Sequence, residues 1–267
     1  MDSGTERFSI LRLSDKGGSC VEDVVVVESP LTIILNDQEL TTLLCSPTDL
    51  RYLAIGFLCS EGLLGSKDEI KRVTVDEQRG VARVETERDA GLTGDALFKR
   101  FITSGCGRGA SFYSAADVQG QAKVESRLKV AASDVLALVQ EFQHRSETFR
   151  ATGGVHSAAL CDARDILVFS EDIGRHNAID KILGECLLNG ITTDDRIVVT
   201  SGRISSEILL KVVRRNIPLV VSKSAPTSLG LKLAADLGVT LVGFVRGRRM
   251  NVYTHDWRIS RDAKQGC

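Results

Sequence analysis

The chain has 267 residues, a formal net charge of −1, and 43% hydrophobic against 26% charged residues. That composition is ordinary for a globular protein, with room for one large domain or for a core with a smaller appendage. A near-neutral balance gives no reason to expect general nucleic-acid binding, which usually needs a basic surplus, so any anion site has to come from local basic clusters.

Met1 to Arg12 is polar and charged, so no signal peptide is expected there. Val24 to Val27 and Leu31 to Leu35 are β-branched-rich runs separated by Ser29-Pro30, and they predict two strands. Ser46-Pro47-Thr48-Asp49 predicts a helix start, with Ser46 as cap and Pro47 at the first helical position. Leu50, Leu53, Ala54, Phe57 and Leu58 follow at helical spacing, and Gly62 and Gly65 end the run. Ile70 to Asp76 and Val81 to Glu85 predict a further strand pair. Arg88 to Gly120 is the least regular part, and Ser133-Asp134 then caps a helix bearing Val135, Leu138, Val139 and Phe142.

From about residue 153 short apolar strands alternate with helices. Strands are expected at 157–160, 166–169, 196–200, 217–222, 240–245 and 251–254, and helices at 176–188, 204–213 and 228–237. This pattern predicts an α/β class, a layered sheet with helices on its faces, plus a smaller N-terminal β-rich portion. The expected division is 1–125, a β-rich portion with one helix and a cysteine-bearing loop, and 126–267, an α/β core. No apolar run approaches the length of a membrane span, so no membrane partner is expected.

Cys106 lies in Ser104-Gly105-Cys106-Gly107-Arg108-Gly109, too glycine-rich for a helix or strand interior. A thiol there is reachable, and Arg108 favours its thiolate, which makes it the first candidate nucleophile. The seven cysteines are odd in number and irregularly spaced, so they do not form a disulfide framework. Cys45 and Cys186 lie among leucines as reduced core residues, pointing to a reducing, cytoplasmic compartment.

Three loops in the second half follow strands and lead into helices, and each carries a cation: Arg175, Arg203 or Lys223. Ligands of open α/β sheets bind outside the carboxyl ends of the strands, and helix N-termini favour anions. Together the loops point to a phosphate-bearing ligand; the plainer alternative is hydroxyl caps with solvated cations. Arg246-Gly247-Arg248-Arg249 reads as a hairpin tip, either a solvated one or a phosphate clamp. His156 follows Gly153-Gly154, and His176 sits between Arg175 and Asn177; either could donate to an anion or carry a proton. No intrinsic metal is expected. His156 has no glutamate two positions on, and no C-x-x-C occurs, so a zinc deaminase signature is missing.

The segments Asp49 to Leu58 with Glu61-Gly62, Ser104 to Gly107, Thr152 to Ala159, Glu171 to Lys181, Ser201 to Glu207, Ser224 to Thr227 and Gly243 to Gly247 span most of the chain. In them the chain resembles the FdhD-type formate dehydrogenase accessory sulfurtransferases. The resemblance implies a cytidine-deaminase-like α/β core without the deaminase metal, and a persulfide carried on Cys106. It implies sulfur taken from a cysteine desulfurase and passed to the molybdenum (or tungsten) bis-pyranopterin guanine dinucleotide cofactor. That cofactor is then inserted into formate dehydrogenase, and a homodimer is implied as well. The cofactor-binding residues implied or supported are His156, Arg175, His176, Ser201, Gly202 and Arg203, with the C-terminal segment Phe244, Val245, Arg246, Gly247, Arg248 and Arg249. One departure stands out. The family often carries C-x-x-C in the loop, and here Gly109 takes the second position. A cofactor-binding chaperone without sulfur transfer is therefore the alternative.

Overall fold

The computed structural model describes residues 4–87 and 122–261. The expected loop at Cys106 lies outside the described residues.

The N-terminal half opens with an antiparallel ribbon of β1 (Thr5–Ser14) and β2 (Gly17–Val26). Mixed polar and apolar residues hid β1 from the sequence pattern, because both faces of the ribbon are largely exposed. A four-stranded sheet follows, made of β3 (Ser29–Leu35), β4 (Gln38–Cys45), β5 (Ile70–Asp76) and β6 (Val81–Thr86), in the order β4-β3-β6-β5. Helix α1 (Leu50–Ser60) packs on it, so that Leu31, Ile33, Leu35 and Val84 meet Leu53, Phe57 and Leu58 in one core.

The second half is a six-stranded mixed sheet. A short parallel pairing of β7 (Val130–Ala131) with a terminal strand at Ile259–Ser260 flanks it. Its strands are β8 (His156–Cys161), β9 (Ile166–Asp172), β10 (Ile197–Thr200), β11 (Leu219–Ser222), β12 (Thr240–Arg246) and β13 (Arg249–Val252). Their order is β13-β12-β11-β10-β8-β9, with β10, β11 and β12 parallel and the other pairings antiparallel. Parallel neighbours need crossover connections, and α5 (Ser206–Val213) and α6 (Ser228–Asp236) supply them. With α4 (Arg175–Asn189) they cover the face bearing Leu160, Val198, Val220 and Leu241. The opposite face, with Cys161, Val199, Val221 and Val242, is covered by α2 (Ala132–Arg145) through Val135, Leu138 and Phe142. A short α3 (Glu147–Thr152), not evident from the sequence, follows α2. This is the layered α/β architecture with helices on both faces that the strand and helix pattern predicts.

The two halves meet along α1 and α4, with no room between them. A Cβ on Gly56 would lie 1.7 Å from the Asp180 carbonyl oxygen, and one on Gly184 would lie 2.0 Å from that of Tyr52. Only glycine permits so close an approach of two helix backbones.

Several helix starts differ from expectation. Ser46 does not cap α1; its backbone N–H donates to Asp172 Oδ2 (3.1 Å) and its hydroxyl oxygen accepts from the Ile173 amide (3.1 Å). Asp49, with φ of 55°, takes the cap position instead. Ser133 falls inside the first turn of α2, whose cap is Ala131. Helix α5 begins at Ser206 and not at Ile204, because Ile204 is drawn into a parallel bridge with Pro226.

Candidate functional site

Strand polarity gathers the predicted residues at one edge of the large sheet. The carboxyl ends of β10, β11 and β12 point there, and antiparallel pairing brings the start of β8 and the end of β9 beside them. This is where open α/β sheets bind ligands.

Hydroxyl groups set the loop conformations. Thr200 Oγ1 accepts from the Gly202 amide (3.1 Å), and Ser222 Oγ donates to the Gly202 carbonyl (2.7 Å) while accepting from the Ser224 amide (2.9 Å). Ser201 Oγ accepts from the Ser157 amide (3.0 Å) and lies 3.2 Å from His156 Nδ1. Gly202 is needed for packing: a Cβ there would sit 2.8 Å from Arg175 Cβ and 3.2 Å from its Cδ. The Arg175 side chain thus lies across the β10 loop, and its Nε is buried without a hydrogen-bond partner among the described residues.

Helix N-termini contribute less than the sequence suggests. Ser205 caps α5 by accepting from the Ile208 amide, and Thr227 caps α6 by accepting from the Gly230 amide. The start of α4 at Gly174 has no side-chain cap of its own, and its Gly174 amide donates to the Asp172 carboxylate (2.9 Å).

Two adjoining hollows open at this edge. One, of about 560 Å³, is walled by Phe142, Phe149, Val155 and Ile173, with His156, Ser201 and Lys223 at its polar side. The other, of about 510 Å³, is lined by Gln143, Ser201, Lys223, Ser224, Arg246 and Gly247. Gln143, Ser201 and Lys223 border both, so the two lie side by side. The pair offers an apolar slot beside a cationic basin, suited to a flat ring carrying phosphates. Burial and Arg246 hold the Lys223 pKa below its usual value. Burial, then Arg175 and Arg203, hold His156 below the ordinary imidazole range. These cations repel one another, a cost that an incoming anion relieves.

The hairpin tip forms as predicted, with Arg246 opposite Arg249 and Gly247 at φ of 57°. Phe244, at φ of 53° in a β-bulge, places its ring 5.7 Å below the Arg246 guanidinium. Val245 is buried in the core behind the tip, and Arg248 and Arg249 are exposed without lining either hollow. His176 turns toward Glu207 (Nε2 to Oε2, 3.4 Å). Burial, Lys211, Arg175 and His156 push its pKa down to about 3, which favours a neutral ring beside Glu207 at neutral pH. Cys106 lies outside the described residues. Phe142, Gln143 and Phe149 were missed as site residues; Phe142 carried only a core-helix signal, and nothing in the pattern marked the other two.

The long block from Glu171 to Lys181 divides in two. Arg175 lies against Gly202 beside the site, lining neither hollow, and acts on His156 through its charge. Asp172, Asn177, Asp180 and Lys181 are buried structural groups that bind the halves of the molecule together. Glu171 receives the Thr148 and Phe149 amides (3.0 and 3.1 Å) and so anchors the start of α3, which walls the apolar hollow.

A sequence profile of the FdhD/NarQ family matches residues 26–260. The chain belongs to the FdhD/NarQ family. It is 48% identical over 241 residues to the sulfur carrier protein FdhD of Bacillus subtilis, covering 90% of this chain and 92% of that one. It is 41% identical over 250 residues to the protein of the same name from Staphylococcus aureus strain MRSA252, covering 94% of each. A crystal structure from Desulfotalea psychrophila, described as a formate dehydrogenase accessory protein, superposes with a TM-score of 0.80 at 28% identity, covering 96% of this chain and all of the other. Within this FdhD/NarQ chain, no group of three or more His, Cys, Asp or Glu side chains is placed to hold a metal ion among the described residues. No helix among them is long and apolar enough to cross a membrane.

Proposed function

We propose that this chain is a sulfur carrier required for formate dehydrogenase activity. Near-full-length similarity to relatives named sulfur carrier protein FdhD carries the reading, at 48% identity for the Bacillus subtilis protein. The Cys106 thiolate attacks the outer sulfur of a cysteine desulfurase persulfide. A new S–S bond forms to Cys106, and the donor leaves as its thiolate. The carrier then presents that sulfur to a molybdenum (or tungsten) bis-pyranopterin guanine dinucleotide, the client destined for formate dehydrogenase.

The composite hollow supports the second half of this reading. Its apolar slot suits a pterin or guanine ring, and Lys223 and Arg246 suit the phosphates. A homodimer in the cytoplasm completes the proposal. The protein is tested in cells lacking their own copy. Cys106→Ala should leave formate dehydrogenase inactive, as should Arg246→Ala. If Cys106→Ala restores activity while Arg246→Ala does not, the chain is a cofactor-binding chaperone, the reading that Gly109 in place of a second loop cysteine favours.

A further inference from the structure

His156 is an imidazole among cations, in contact with a hydroxyl that is itself held in place. The Ser201 amide donates to the Ser157 carbonyl (3.0 Å), and the Ser157 amide donates back to Ser201 Oγ (3.0 Å). This reciprocal pair pins the hydroxyl. A hydroxyl has one donor and two acceptor sites. The Ser157 N–H takes one acceptor site, and among the described residues His156 Nδ1, 3.2 Å away, is the acceptor within reach of the hydroxyl hydrogen, which favours donation from Ser201 to the ring. A neutral ring that accepts at Nδ1 carries its hydrogen on Nε2.

The charged groups facing this ring are Arg175 at the start of α4, Arg203 in the loop after β10, and Asp172 at the end of β9. Asp172 is committed to Lys181, Ser46, Gly174 and Asn177. Lys223 lines the same hollow from the loop after β11, as do Arg150 of α3 and His144 of α2. His156 also bears on the neutral His176 of α4. Positive charge therefore dominates the hollow, and a further proton on His156 is disfavoured there. A phosphate in the hollow reverses that field at the ring.

We infer that Ser201 is a positioning residue that holds His156 as the Nε2–H tautomer, and that His156 takes up a proton when an anionic group of the ligand enters the hollow. The inference rests on the reading that this site takes a phosphate-bearing ligand. Burial and the two arginines favour the neutral ring before the ligand enters, so uptake coincides with binding. Capture of the ligand then strengthens as pH falls, and loss of that proton loosens it.

The test is calorimetric titration of GDP into the full chain, in buffers of different ionisation enthalpy, with wild type and His156→Gln compared. The nucleotide's own phosphate titration is common to both and cancels. Wild type should take up more protons than the variant near pH 6.5, by about half a proton. Its affinity should rise about three- to tenfold more than the variant's between pH 8 and pH 6. Long-range 1H–15N NMR should show the Nε2–H tautomer of His156 in wild type and a mixture in Ser201→Ala. GDP binding with equal proton uptake in both proteins overturns the inference and leaves the phosphate-site reading standing. An Nδ1–H tautomer in wild type overturns the role of Ser201. Absence of GDP binding to wild type overturns the phosphate-site reading, and this inference with it.

Discussion

Lys181 Nζ lies 2.8 Å from Asp172 Oδ2, and both side chains are fully buried. The ammonium also donates to the Ser46 and Glu171 carbonyls and to Thr48 Oγ1. Asp172 receives the Ser46 and Gly174 amides and the Asn177 side chain. One buried pair thus clamps the strand leading into α1, the end of β9 and the start of α4. Lys181→Met leaves a carboxylate uncompensated and should destabilise the protein by about 3–5 kcal/mol in denaturant unfolding. A loss under about 1 kcal/mol would show that the clamp contributes little.

Gly56 and Gly184 make the contact between α1 and α4 possible. Each methyl would fall on a backbone carbonyl of the facing helix, at 1.7 Å and 2.0 Å. Backbone cannot step aside as a flexible side chain can. Gly56→Ala or Gly184→Ala should each cost about 3 kcal/mol or more, despite the ~1 kcal/mol that alanine gains in helix propensity. Thermal unfolding checks this, and a rise in Tm would contradict it.

Gly202 makes a different prediction, because its neighbour is a side chain. A Cβ there meets Arg175 at 2.8 Å and should push the guanidinium away from the site. Gly202→Ala should change stability by about 1 kcal/mol yet weaken GDP binding about tenfold. Measuring both on one sample separates the effects. Unchanged affinity would place Arg175 outside the anion site.

His176 predicts a pH dependence. Its folded pKa is about 3, and its unfolded value is near 6.5. The unfolded chain therefore binds more protons between these limits, so His176 contributes stability above pH ~6.5 that is lost as pH falls toward 3. Glu61 opposes it, because burial raises its carboxyl pKa and favours the folded state as that group protonates. Replacing the imidazole, in His176→Gln, should flatten the decline in stability between pH 6.5 and pH 4, read from urea midpoints. A decline as steep as in wild type would contradict the assignment.

Much of the fold was legible because its signals are local. Alternating strands and helices after residue 153 marked the large sheet, and Arg246 to Arg249 marked the hairpin tip. The ribbon β1–β2 was not legible as a strand pair from Met1, since neither of its faces is buried and no alternation was required of it. Ser46 looked like a helix cap, but its partners lie over 120 residues away at Asp172 and Ile173, beyond any local pattern. The site was half legible. Cations after the strands were visible as such, whereas the apolar wall from Phe142 and Phe149 arises only when α2 and α3 fold over the sheet edge. The block from Glu171 to Lys181 looked like one motif and serves two purposes, binding the halves together through Asp172 and Lys181 and laying Arg175 against Gly202 beside the site.

The sulfur carrier reading assigns the chemistry to a thiol other than those of the core. Cys45, Cys161 and Cys186 are buried, and burial pushes each thiol up to about 12, which keeps them protonated and inert at neutral pH. The most direct measurement is the intact mass of the protein after incubation with a cysteine desulfurase and cysteine, with and without a reducing agent. Wild type should gain the mass of one sulfur atom that reduction removes, and Cys106→Ala should gain none. A wild-type protein without added sulfur, or a Cys106→Ala protein that still acquires it, would contradict the account.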